Sequence, residues 1–362
     1  MALFHSRSLL RSTPFLAIAT IGFFNVLMSA WYADSNGTNR SWPMSWLMAE
    51  SSINAASLFM VVLLTFYAGE LVWRERQVKL DQVLDAAPVR SWSVLAGKFT
   101  AMIVLLLAFA TTSMLGSMAV QVMKGYPRID LPVYALHVYL VDFLGWIAMT
   151  AIAFFVQSVV PRKAIGNVLV ILVWVGNIVT TNLGHEYRLL QIGAYPALQW
   201  SDLTGTGPYL AAVPAVHGFN VLLGLLMRSF TALVWRRGTE LAAFRARARR
   251  WATSGSLWMA AGSGVGLTAA GAVFYFNASV ENRYRTRKES EKAAVMYVQT
   301  WRRFDTLAPP KVTAIALDVD FEPRAGRARV GSRFTLVNRE RRPLDARLVN
   351  AAADAPGLGV DG

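Results

Sequence analysis

At 362 residues, with 54% hydrophobic side chains and only 16% charged ones, the chain is too apolar for a soluble protein of its length, and its mean hydropathy is +0.37. The formal charge of +14 sits largely in a few short inter-span segments, which argues against nucleic acid as a partner. No cysteine is present, so disulfides, thiolate catalysis and cysteine metal sites are excluded.

Apolar runs of about 20 residues suffice to cross a ~30 Å hydrocarbon core as helices. In chain order they are predicted at Pro14 to Tyr32, Ile53 to Trp73, Phe99 to Met123, Tyr134 to Val160, Ala164 to Thr181, Tyr209 to Trp235 and Gly255 to Phe276. No small-residue cleavage site follows the first run, so it reads as a retained helix rather than a signal peptide. The fold class expected is therefore an all-α polytopic membrane protein with about seven transmembrane helices.

Lys and Arg near span ends favour the cytoplasmic side. One set of loops holds Arg7, Arg11, Arg74, Arg76, Lys79, Arg90, Lys98, Arg162, Lys163, Arg236, Arg237, Arg245, Arg247, Arg249 and Arg250. The other holds Arg40, Lys124, Arg128 and Arg188, so the bias of 15 to 4 places the N-terminus in the cytoplasm. Seven crossings then put everything after Phe276 in the periplasm or its equivalent, which makes this a multi-pass protein of the inner (cytoplasmic) membrane.

Between spans two and three, Glu70 to Lys98 inserts a charged amphipathic segment. From Arg74 to Ala87 the pattern is helical: Leu80, Val83, Leu84 and Ala87 share one face, with Lys79, Asp81, Gln82 and Asp85 opposite. Pro88 ends it. A short helix with charges of both signs suits a position along the membrane surface against another protein; a solvated loop helix without a partner is the alternative.

Those residues resemble the coupling region of type-2 ABC exporter permeases. The features that match are Glu70 at the end of span two, the Arg74-Glu75-Arg76 cluster, Leu80 and Leu84 on the short helix, the Pro88-Val89-Arg90 stop, and Gly97-Lys98 entering span three. The chain departs from the family at Val78 and Lys79, where a Gly-Thr pair is frequent. More loosely, the resemblance covers residues 1–235. It implies a six-helix transmembrane half that receives the motion of a cytoplasmic ABC ATPase, pairs with a second permease half, and has ATP bound by the partner subunit. No G-x-x-x-x-G-K-[ST] loop occurs, so this chain is not expected to be its own ATPase.

Three ionisable residues fall within the spans: Glu70, Asp142 and Arg228. Glu70 and Arg228 lie toward the cytoplasmic ends of their helices, where they either pair, line an inward cavity, or, for Arg228, snorkel to the interface. Asp142 lies toward the outer end of span four. Residues 236–254 form a basic cytoplasmic loop, and the seventh span, 255–276, carries a Gly262-x-x-x-Gly266 pair suited to close packing within the bundle or to a dimer face.

The loop from Leu183 to Pro208 reads either as a packed plug or as a solvated loop. Ser201, Asp202 and Gly205 in it are similar to a Ser-Asp-x-x-Gly loop of one permease subgroup, in which the spans are fused to a membrane alanyl-type zinc aminopeptidase. Beyond the last span, 277–310 is a charged juxtamembrane linker, helical over Glu281 to Leu307. Alternation at Ile315, Leu317, Val319 and Phe321, then Val330, Phe334 and Leu336, predicts a β-hairpin within 311–362. Two strands are too few for an independent domain, so an incomplete β-domain is expected. The hairpin resembles the opening strands of the same aminopeptidases, which implies a truncated peptidase part.

No zinc site is expected in these residues. His185-Glu186 is followed by Leu189 where the second ligand of an H-E-x-x-H helix would stand, and His5, His137 and His217 are isolated. The chain is thus expected to be no enzyme and to hold no cofactor, zinc entering only with a downstream peptidase domain. Two functions stay open: a transport permease driven by a separate ATPase, or a membrane anchor for an extracytoplasmic peptidase. The segment from Glu70 to Lys98 favours transport, because an anchor needs no polar helix in the cytoplasm.

Overall fold

The computed structural model describes residues 2–36, 39–78, 91–183, 191–193, 205–210, 212–235, 251–252, 255–281, 284–302, 310–322 and 327–338, with single residues at 198, 200 and 248. It divides into two compact units, Met1–Thr286 and Arg287–Gly362.

The first unit is helical. A short helix α1 (Ala2–Leu10) precedes α2 (Thr13–Tyr32), which starts with Pro14, a residue whose missing N–H costs nothing in a first turn. Strands β1 (Ser35–Asn36) and β2 (Asn39–Arg40) pair as a minimal antiparallel ribbon. Then come α3 (Ser45–Gln77), α4 (Ser91–Met123), α5 (Leu131–Val159), α6 (Lys163–Asn182), the single turn α7 (Gly207–Leu210), α8 (Ala212–Val234) and α9 (Gly255–Tyr275). Seven of the described helices are long and apolar enough to cross a membrane, and they coincide with the seven predicted runs.

Several boundaries differ from the expectation, each for a physical reason. At about 1.5 Å per residue, the 33 residues of α3 reach roughly 50 Å, well beyond a hydrocarbon core. Arg74 to Gln77 are thus the last turn of span two and not the start of a separate surface helix, and their basic side chains suit the negative end of the helix dipole. Likewise α4 begins at Ser91, which places Gly97 and Lys98 two turns inside the helix instead of at its entry. The linker is also divided: α9 runs on through a π turn, Phe276–Glu281, and the next helix begins at Arg287.

The core lies where α3, α4 and α5 meet, filled by Met48, Met60, Leu63, Leu64, Met102, Leu105, Leu106, Phe109 and Phe154. A π turn, Leu136–Phe143, interrupts α5. α8 packs on α5 and on α9. Of the Gly262/Gly266 pair, only Gly266 makes a close approach, against Leu222 of α8; a Cβ at Gly262 would meet open space. The second unit holds α10 (Arg287–Trp301), with an Arg287–Glu291 ion pair of 3.0 Å along its face, and the antiparallel strands β3 (Lys311–Glu322) and β4 (Arg327–Val337). Ile315 faces Phe334 and Val319 faces Val330, so the predicted hairpin has its predicted apolar stripe, with a register irregularity between Val312 and Ala314.

Candidate functional site

The end of the bundle where α3 passes into α4 brings together three of the predicted coupling residues, Glu75, Arg76 and Lys98. Glu75, on the last turns of α3, accepts a hydrogen bond from Lys98 Nζ at 2.7 Å. The Lys98 side chain is 1% exposed, and the Glu75 carboxylate compensates its buried ammonium. Trp235, just past α8, adds its ring face 5.4 Å from Lys98 Nζ. Arg76 stacks between Trp73, at 5.2 Å, and Trp235, at 6.0 Å, each contact being worth about 0.5–2 kcal/mol. Arg74 is exposed on the same turn.

Glu70 lies one turn deeper, and its partner is Lys163 at the start of α6, 2.6 Å away. Of the alternatives open for Glu70, pairing with Arg228 does not occur: Arg228 Nη1 instead approaches Met259 Sδ of α9 at 3.2 Å. Lys163 wins because the tight link between α5 and α6 sets it against the side of α3, and its Nζ also lies 5.3 Å from the Phe66 ring centroid.

Beside this pair is a neutral chain of hydrogen bonds. Trp73 Nε1 donates to Gln157 Oε1 (3.0 Å), and Gln157 Nε2 donates to Asn167 Oδ1 (2.7 Å), joining α3, α5 and α6. Two glycines make room for it. A Cβ on Gly69 would lie 2.6 Å from Asn167 Oδ1, and one on Gly166 would lie 2.2 Å from Gln157 Oε1. At the rim, His5 on α1 is held below its ordinary value of 6.5 by partial burial first and by Lys98 second, with Glu75 acting in the opposite sense.

Leu80, Leu84, Pro88 and Arg90 lie outside the described residues, as do His185, Glu186, Ser201 and Asp202. Asp142 is apart from this cluster, in the π turn of α5, where it accepts from Trp146 Nε1 at 3.1 Å. Sequence reasoning missed Lys163, Gln157, Asn167, Trp73 and Trp235 as partners. Lys163 appeared only as one more loop cation, and nothing in the local pattern of Gln157 or Asn167 marks a contact across three helices.

Among the described residues, no group of three or more metal-ligating side chains comes together. The arrangement ties the ends of α3, α4, α5, α6 and α8 into one charged and aromatic unit, at the two ends of the segment 79–90.

Residues 9–177 match the family model described as ABC-2 family transporter protein. This supports an ABC-2-type permease. The match runs from the end of α1 through most of α6 and so includes the Glu75–Lys98 and Glu70–Lys163 pairs. Neither the curated proteins nor the solved structures contain a match to the chain.

Proposed function

We propose that this ABC-2-type membrane chain is the transmembrane subunit of an exporter, and that hydrolysis of ATP by a separate cytoplasmic ATPase reaches it through residues 74–98. The observation that carries the proposal is the family match over 9–177, which spans the whole of that segment. The buried Lys98 paired with Glu75 supports it, since a displacement of the chain between α3 and α4 is delivered directly onto an ion pair within the bundle. In this reading Leu80 and Leu84 contact the ATPase, Glu70, Arg74, Glu75, Arg76, Pro88, Arg90 and Lys98 hold the receiving surface, and a second permease half completes the transporter. The charge bias of the loops supports a cytoplasmic N-terminus in the inner membrane.

The exposed apolar stripe of the hairpin supports a further part of the reading, a larger extracytoplasmic β-domain of the aminopeptidase kind built onto Lys311–Val337. The test of the central proposal is purification of the tagged full chain from its own membrane after mild cross-linking, with ATP hydrolysis measured in the eluate. Hydrolysis should co-purify with the wild type and fall at least about tenfold with Leu80→Asp/Leu84→Asp, as expected when charges enter an apolar contact. An eluate without ATPase, or one indifferent to both substitutions, would reject the coupling role.

A further inference from the structure

The seam between α5 and α8 contains an unusual set of groups that the coupling reading does not use. His217 is only 4% exposed and projects from α8 toward the π turn of α5, beside the Leu140 and Val141 carbonyls. Neither of its ring nitrogens makes a well-formed hydrogen bond in the protein, the two carbonyls lying near it without the geometry of a full bond. His137, on the same π turn, which packs against α3 and α4, is 5% exposed, and its Nε2 makes no hydrogen bond in the protein. Asn220, one turn along α8 from His217, is buried on the same side.

A neutral imidazole carries one donor and one acceptor, and buried polar groups in folded proteins are almost always matched. A π turn adds a residue to the helix and shifts carbonyls out of the regular ladder, which is why such turns recur at binding sites. Carbonyl acceptors and an imidazole offering both polarities together suit a small ligand that both donates and accepts, and water is the ligand with that chemistry. His217 is five residues into α8, roughly 8 Å along its axis from the first residue, so the distance from an aqueous phase is short.

The geometry points to a hydrated site inside the membrane, formed by His217 against the π turn Leu136–Phe143 of α5 and open to water from the Ala212 end of α8. It is distinct from the cluster around Glu75 and Lys98, and its existence does not depend on the identity of the ATPase.

The absence of cysteine from the sequence gives a direct test. The full chain in liposomes, carrying His217→Cys or Ala215→Cys as its single thiol, is treated with a membrane-impermeant cationic methanethiosulfonate. Ala215 is at nearly the same depth but exposed on the bundle surface. Because only the thiolate reacts and apolar surroundings suppress it, the thiol at 217 should react roughly 100-fold faster than that at 215. Equal or slower reaction overturns the proposal. Should His217→Cys fail to fold, the wild type still decides the matter: the ring N–H of His217, assigned by its loss in His217→Gln, must show exchange with water by NMR in nanodiscs. A ring N–H protected from water overturns it.

Discussion

Where α3 passes into α4, helices are joined by charged side chains; at the opposite end of the same bundle a neutral network does most of that work. There Gln121 Nε2 donates to Arg128 O at 2.9 Å and to Ser45 Oγ at 3.2 Å, Tyr134 Oη donates to Gln121 Oε1 at 2.7 Å, and the Asp130 N–H donates to Ser45 Oγ at 3.0 Å. Gln121 and Tyr134 have no exposed surface. One ion pair, Lys124 with Asp34, flanks this network. At the first end Glu75, Glu70 and Lys163 are 24%, 29% and 22% exposed, and only Lys98 is sealed. Exposed charges exchange protein partners for water at little cost, whereas a closed neutral network is satisfied in one geometry. The comparison suits a bundle fixed at the Gln121 end and adjustable at the Glu75 end.

The largest test of this contrast is Glu75→Ala. It removes the carboxylate 2.7 Å from the buried Lys98 ammonium, which should cost about 3–5 kcal/mol in mixed-micelle unfolding, while Glu75→Ala/Lys98→Met should recover most of the loss. A cost near zero for the single substitution would mean that Lys98 is hydrated like the other charges at this end. Next is Gln121→Leu. It removes the acceptor of Tyr134 Oη at 2.7 Å and the nearer of the two donors to Arg128 O, leaving Ser45 Oγ at 3.4 Å as the other, so the loss should be about 1–3 kcal/mol, with no rescue from a second apolar substitution at Ser45.

Much of this fold was legible in the sequence. Spans of about 20 apolar residues can hardly be anything else in a chain this hydrophobic, and the strand alternation from Ile315 to Phe321 has a period that no helix shares. The clustering of Glu75, Arg76 and Lys98 was also foreseeable, since the chain leaves and re-enters the bundle between them. The partner of Glu70 was not. Lys163 lies 93 positions away, and hydropathy does not say which of several basic helix ends stands next to α3. The extent of α3 beyond the membrane was hidden for a related reason: Arg74 to Gln77 look like loop when only hydrophobicity marks a helix, although their backbone hydrogen bonds continue unbroken. The plug-or-loop question for Leu183 to Pro208 is answered for the turn Gln191–Gly193. Asn177 Nδ2 donates to Ile192 O at 2.8 Å and Asn177 Oδ1 accepts from Ile192 N at 3.2 Å, so this stretch is packed onto α6.

That turn allows a mid-sized test away from either polar end. Gly193 has φ of +74°, and a Cβ on Gly145 of α5 would lie 2.1 Å from Gly193 O, a backbone atom that cannot rotate away. Gly145→Ala should therefore cost about 1–3 kcal/mol and raise hydrogen exchange at Ile192 without altering the Glu75–Lys98 contact. Unchanged exchange at Ile192 would show that the turn is not seated on α5. A smaller effect is expected from Glu70→Gln, because both members of its pair are partly exposed: about 0.2–1 kcal/mol, shrinking further at high salt. A loss as large as that of Glu75→Ala would erase the proposed difference between the sealed and the open pair.

His5 gives the finest reading of the adjustable end. Its imidazole is held below 6.5 by burial and by Lys98, so the unfolded chain binds the proton more tightly than the folded one. Stability from this group is full above the ordinary value and falls away as the pH drops through the lowered one. NMR titration of His5 should accordingly show a midpoint below 6.5, and thermal unfolding between pH 7 and pH 5 should show wild type losing stability relative to His5→Gln. Replacing Lys98 with Met removes the second of four depressing causes, burial acting first and the N-terminal ammonium and Arg74 adding to it, and should move the midpoint upward, though not fully. If the midpoint is unaffected by Lys98→Met, α1 does not sense the charge of the Glu75–Lys98 pair, and the electrostatic unit at this end stops short of the N-terminal helix.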